Sequence, residues 1–151
     1  MEKEFVPYEL SLKLKELGFD SPCFGYYESQ DKNLVINYSN IPLTEEQEKR
    51  KGLYLIDNRN SVIPQWAVCA PTFSQAFEWF RETHYIFSEI SVDCTTYPKF
   101  CYTFNKFFGN PNDLTSKEWG WEIQIDGYSL LCRSHREAEL DCLEKLIQFI
   151  K

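Results

Sequence analysis

Long hydrophobic runs are missing from this 151-residue chain. No stretch approaches the roughly 18 apolar residues that a membrane helix needs, so no membrane association is expected. Glycine is scarce, six in all, and nowhere clustered. Neither G-x-x-x-x-G-K-[ST] nor G-x-G-x-x-G occurs, which removes the common phosphate cradles. H-E-x-x-H, G-x-S-x-G and the EF-hand loop are missing as well. Positive charge is in deficit: 16 Lys plus Arg stand against 23 Asp plus Glu, a net charge of −7. The only dense basic run, Lys49-Arg50-Lys51, follows Glu45, Glu46 and Glu48. It reads as a solvated mixed-charge segment rather than a phosphate track, which argues against a double-stranded nucleic-acid binder.

Cysteine is not scarce. Six are present, at 23, 69, 94, 101, 132 and 142. No C-x2-C pair occurs, and the closest spacing is Cys94-x6-Cys101. We therefore expect no structural zinc, no other metal and no cofactor. The opening Met1-Glu2-Lys3-Glu4 is charged and leads into an amphipathic segment, unlike a secretory leader. The expectation is a reducing cytoplasm with free thiols.

Aromatic residues are abundant: 12 Phe, 9 Tyr and 4 Trp. They supply enough large apolar surface for a packed core and exclude wholesale disorder. No low-complexity linker splits the chain, so we expect one domain over 1–151.

Local patterning places the elements. Pro7 to Leu17 reads as a helix: Pro7 suits its first turn, Leu10, Leu14 and Leu17 share a face, and Gly18 stops it. Phe24–Tyr27 and Leu34–Tyr38 read as hairpin strands across the polar Glu28–Asn33. Gly52–Asp57 is a weaker strand candidate, followed by the turn-rich Asn58-Arg59-Asn60-Ser61. A second helix spans Thr72–Thr83, with Phe73, Ala76, Phe77 and Phe80 in one core stripe. Ile90–Cys94 and Lys99–Asn105 read as strands, the latter alternating Phe100, Tyr102 and Phe104 with Cys101, Thr103 and Asn105. Asp126-Gly127 reads as a type I′ turn pairing Ile125 with Tyr128. Ser134 and Glu137 form a capping box for a last helix to about Ile150. The order α-β-β-(β)-α-β-β-β-α predicts an α+β fold: a mainly antiparallel sheet built from hairpins, with about three helices on one face.

Candidate functional residues are few. Glu139 falls in the apolar arc of the last helix, with His135 four residues before it on the same side. A carboxylate near a low-dielectric core beside an imidazole suits acid–base work, but a first-turn carboxylate also simply complements the helix dipole. Cys132 and Cys142 fall on apolar faces and read as core, leaving Cys101 the least constrained thiol. Trp79 projects about 100–120° from the phenylalanine stripe at 100° per residue. Trp119 precedes the expected hairpin. Both are candidate binding aromatics, with Tyr26, Tyr27, Tyr54, Tyr97, Phe107 and Phe108 near strand ends or loops. Arg81, Lys106 and Arg133 are candidate donors for a small ligand.

Three segments carry a family resemblance. They are Met1-Glu2-Lys3-Glu4-Phe5-Val6-Pro7-Tyr8-Glu9-Leu10 continuing to Cys23, Ala76-Phe77-Glu78-Trp79-Phe80-Arg81-Glu82, and Glu137-Ala138-Glu139-Leu140-Asp141-Cys142-Leu143-Glu144-Lys145-Leu146-Ile147. Together they resemble an uncharacterised family of small proteins common in phages and prophages of Bacteroidetes bacteria. The match lies in the helices and leaves the middle of the chain aside. It implies expression in a bacterial cytoplasm and brings no catalytic residues with it.

Three functions fit these observations. The first is a non-catalytic, phage- or prophage-encoded cytosolic protein that binds a host or phage protein through an acidic, aromatic surface. The second is a binder that sequesters a small ligand or nucleotide. The third, with least support, is an enzyme using Glu139, His135 or a cysteine. The broad apolar faces of the terminal helices also leave room for a homodimer.

Overall fold

The computed structural model describes residues 2–36, 58–93, 99–108 and 120–150, with 2, 93, 107–108 and 120–131 as backbone. The chain forms two compact units, 1–75 and 76–151.

The first unit opens with a 3-10 turn, Glu2–Glu4, and helix α1, Tyr8–Glu16. Pro7, at φ −57°, starts α1. Its end is a Schellman turn: Phe19 N–H donates to the Leu14 carbonyl at 2.9 Å and Gly18 N–H to that of Lys15 at 3.0 Å. Gly18 sits at φ +92°, the left-handed conformation that this closure demands. Strands β1 (Gly25–Glu28), β2 (Leu34–Ile36) and β3 (Ala67–Ala70) form an antiparallel sheet in the order β2-β1-β3. The expected hairpin is β1–β2, in register Gly25↔Ile36 and Tyr27↔Leu34. Phe5, Tyr27, Val68 and Ala70 form a buried cluster, with Tyr8, Leu12, Leu34 and Ile36 packed on it.

Strand β3 has no counterpart among the sequence expectations. It is four residues long and buried throughout, so it carries no alternation to read. The Gly52–Asp57 candidate lies outside the described residues. The Asn58–Ser61 turn latches β3. Asn60 Nδ2 donates to the Phe19 carbonyl at 2.8 Å, and its Oδ1 accepts from Cys69 N–H at 3.0 Å.

Helix α2, Phe73–His84, begins with a reciprocal cap. Thr72 N–H donates to Gln75 Oε1 at 2.9 Å, and Gln75 N–H donates back to Thr72 Oγ1 at 3.3 Å.

In the second unit, β4 (Ile86–Asp93), β5 (Lys99–Phe108) and β6 (Gly120–Cys132) form an antiparallel sheet in the order β4-β5-β6. Helix α3, His135–Ile150, packs against all three strands. Ser134 Oγ accepts from Glu137 N–H at 3.2 Å, the N-cap half of the predicted box, and the Glu137 carboxylate reaches one residue further back, accepting from Arg133 N–H at 2.7 Å. Tyr102 and Phe104 are buried while Cys101, Thr103 and Asn105 are half-buried, the alternation read from sequence. They join Ile86, Ala138, Cys142, Leu143, Leu146 and Ile147 in the core.

The class is α+β with antiparallel pairing, and the element order matches the prediction, although the strands are shared between two sheets of three. The Asp126-Gly127 hairpin is the main correction. Both residues lie inside β6, with Asp126 opposite Thr103 and Gly127 opposite Tyr102. The next pair is Cys132↔Phe100, so β6 fits four residues where β5 has one. The glycine marks a bulge rather than a reversal. The ten-residue β5 offers ladder partners along its length, more than two short arms offer each other.

Two glycines make different demands. A Cβ at Gly18 meets nothing within 4 Å, whereas one at Gly25 lies 2.5 Å from the Val35 carbonyl oxygen. Gly18→Ala is expected to cost about 1 kcal/mol through positive φ alone. Gly25→Ala is expected to cost more, about 2–3 kcal/mol, because backbone must move. Urea denaturation of both variants measures the order.

Titration of the second unit's interior sets a pH window. His84 packs edge-on to Trp79 at 4.7 Å, and its buried Nε2 has no hydrogen-bond partner among the described residues. Burial first, and Lys106 second, hold its imidazole below the usual range. Folding thus favours neutral His84, and that contribution is lost as pH falls from the unfolded value, near 6.5, through the depressed folded one. At high pH the sign reverses. Burial pushes the Cys142 thiol up to about 12 from 9.0, so its contribution is lost as pH rises across that interval. The urea midpoint should fall between pH 7.5 and 5.5, and His84→Phe should shrink that fall.

Candidate functional site

Three of the residues singled out from sequence come together. Arg81 from the last turn of α2, with His135 and Glu139 from the first turns of α3, lines a cleft of about 220 Å³ whose remaining walls are Phe77, Ser88 and Ile90. The α3 cap fixes where this helix starts and so places His135 at the rim. Glu139 Oε2 lies 3.6 Å from His135 Nδ1 and 3.7 Å from the Arg136 guanidinium. Its side chain is 21% exposed and that of His135 58%. The carboxylate is therefore flanked by an imidazole and a guanidinium instead of lying alone against the core. Phe100 meets the His135 ring edge-on at 5.8 Å. Arg81 is exposed, and no carboxylate pairs with it among the described residues.

The other candidates are elsewhere. Trp79 is buried, stacked edge-on against Phe80 at 5.0 Å and against His84. It belongs to the core, because the buried arc of α2 is wider than the phenylalanine stripe. Trp119 lies outside the described residues. Lys106 Nζ sits over the Phe149 ring at 5.8 Å, and Arg133 is exposed. Neither lines the cleft. Cys101, half-buried, approaches Ser91 with Sγ and Oγ 3.1 Å apart. Cys23, Cys69, Cys101, Cys132 and Cys142 are free thiols. Among the described residues no group of three His, Cys, Asp or Glu is placed to hold a metal, and no helix is long and apolar enough to cross a membrane.

A second concavity, in the first unit, was not foreseen. It measures about 260 Å³ and is lined by Glu28, Gln30, Asp31 and Trp66. Trp66 is 55% exposed. Its backbone, by contrast, is held from several sides. The Trp66 carbonyl accepts from Ser29 N–H at 3.3 Å and from the Ser29 hydroxyl. Lys15 Nζ donates to the next carbonyl, of Ala67, at 2.7 Å, and to that of Gln65 at 3.4 Å. Ala67 N–H donates to the Pro64 carbonyl at 2.8 Å. The indole thus stands out from a fixed frame. Glu28 and Asp31 beside it pair with no cation among the described residues. The signal in sequence was slight: one tryptophan just after Pro64-Gln65, at the start of an apolar tetrapeptide.

Comparison with protein-family models, with curated proteins and with solved structures finds no match to this chain.

Proposed function

We propose that this chain is a non-catalytic interaction protein that holds a basic side chain of a protein partner between Trp66 and the carboxylates of Glu28 and Asp31. The observation that carries this reading is the half-exposed indole of Trp66 on an anchored backbone next to two acids that have no cationic partner among the described residues. Tryptophan faces attract ammonium and guanidinium groups, and tryptophan is enriched among residues that dominate binding energy. A fixed backbone lowers the ordering entropy that binding must overcome. The net charge of −7 speeds encounter with a cationic surface. At about 260 Å³ the concavity has room for one side chain of a larger partner. The partner is a host or phage protein in a bacterial cytoplasm. That setting rests on the resemblance of the helical segments and on the free thiols, which suit a reducing compartment.

Calorimetric titration with a Lys/Arg-rich peptide and a Glu-rich peptide of equal length tests this. Only the basic peptide should bind, more weakly as salt rises. Trp66→Ala should weaken binding at least tenfold with an unchanged melting temperature, since the indole is exposed. Glu28→Gln with Asp31→Asn should weaken it and flatten the salt dependence. Equal binding by both variants, or none of the basic peptide at millimolar concentration, overturns the proposal.

A further inference from the structure

The cleft of the second unit has a different chemistry. Its apolar lining is Phe77 and Ile90. Among its described lining residues the acid is Glu139, which lies 3.7 Å from the Arg136 guanidinium and 3.6 Å from His135 Nδ1. Two donors at its walls are unspent: among the described residues, neither the Arg81 guanidinium nor the Ser88 hydroxyl has a hydrogen-bond or ion-pair partner. With Arg136 beside Glu139, the cleft offers the Arg81 guanidinium and the Ser88 hydroxyl as donors in a chain that is acidic overall.

We infer that this cleft binds the carboxylate of a small apolar molecule. Guanidinium and carboxylate match in geometry, two parallel N–H···O bonds in one plane, which an ammonium cannot reproduce. Arg81 supplies that fork, and Ser88 and His135 stand as further donors on the walls. Phe77 and Ile90 take the apolar body. Size narrows the class: about 220 Å³ suits one ring or a short alkyl chain bearing the acid, and is small for a nucleotide. The Arg81 guanidinium matches one carboxylate, whereas a phosphate monoester brings a second charge that the cleft's described lining residues leave unmatched. A ligand of about nine non-hydrogen atoms is expected to bind with a Kd of order 0.1–10 mM.

Amide NMR titrations with benzoate, inorganic phosphate and adenosine 5′-monophosphate separate the possibilities. Benzoate should give saturable shifts in the last turn of α2, in β4 and at the start of α3. Arg81→Gln should raise its Kd at least tenfold, and Arg81→Lys should fail to restore it. Arg81 is exposed, so an unchanged amide spectrum of the unliganded variant shows that the fold is intact. Absence of saturable shifts, equal binding by Arg81→Gln, or tighter binding of phosphate or the nucleotide overturns the inference. The Trp66 surface uses none of these residues, so its proposal stands or falls separately.

Discussion

The peptide around Val6 ties the first unit together. Val6 is fully buried. Its carbonyl accepts from the Tyr27 hydroxyl at 2.7 Å and from the Ser11 hydroxyl at 3.1 Å, while its N–H donates to the Pro71 carbonyl at 2.8 Å. One residue thus links α1, β1 and the segment after β3. Buried polar groups must find partners, and here both lone pairs of a carbonyl are used, so few alternative packings exist. Lys15, on the same helix, then reaches the carbonyls on either side of Trp66. A tryptophan with its backbone so satisfied needs no burial of its ring to stay ordered, which is how a large apolar side chain comes to stand exposed at a fixed position.

The second unit is organised by α3. Tyr102, buried beneath it, donates to Asp141 Oδ2 at 2.9 Å, joining helix to central strand. Burial, reinforced by Asp141, raises the Tyr102 phenol well above its ordinary range. It remains a neutral donor, so the bond survives over the whole physiological range. With the helix docked there and capped at Ser134, its first turns are committed in position. His135 and Glu139 owe their place beside Arg81 to these two constraints.

What was legible in the sequence was what local physics decides. Pro7 and Gly18 bracket α1 because one fixes φ and the other accepts a positive φ. The Ser134–Glu137 cap and the Tyr102–Phe104 alternation are short-range patterns of the same kind. The illegible parts depend on partners far along the chain. Ala67–Ala70 is a strand because β1 lies beside it, in register Gly25↔Ala70 and Glu28↔Ala67, and nothing within the tetrapeptide says so. Asp126-Gly127 has turn chemistry, yet the long β5 wins it for the ladder. The same divide separates the tryptophans. A helical wheel placed Trp79 off the core stripe, but His84 and Phe80 close over it; Trp66 sits outside any periodic element, so no pattern marked it. The His135–Glu139 pair was legible from i,i+4 spacing, whereas Arg81 joins it only through the fold.

Charge sorting distinguishes the two concavities of one acidic chain. A net charge of −7 attracts cations and repels anions at long range, but at physiological salt the field decays over about 8 Å. Within that distance local arrangement decides. Glu28 and Asp31, which pair with no cation among the described residues, make the Trp66 surface locally negative, so near and far fields agree there. In the other cleft they oppose. Arg136 and His135 hold Glu139, leaving Arg81 to set the local potential, and an anion must already be close before it is attracted. Such a site discriminates by contact rather than by encounter. A macromolecular polyanion is disfavoured there, because it meets the repulsion of the whole acidic surface.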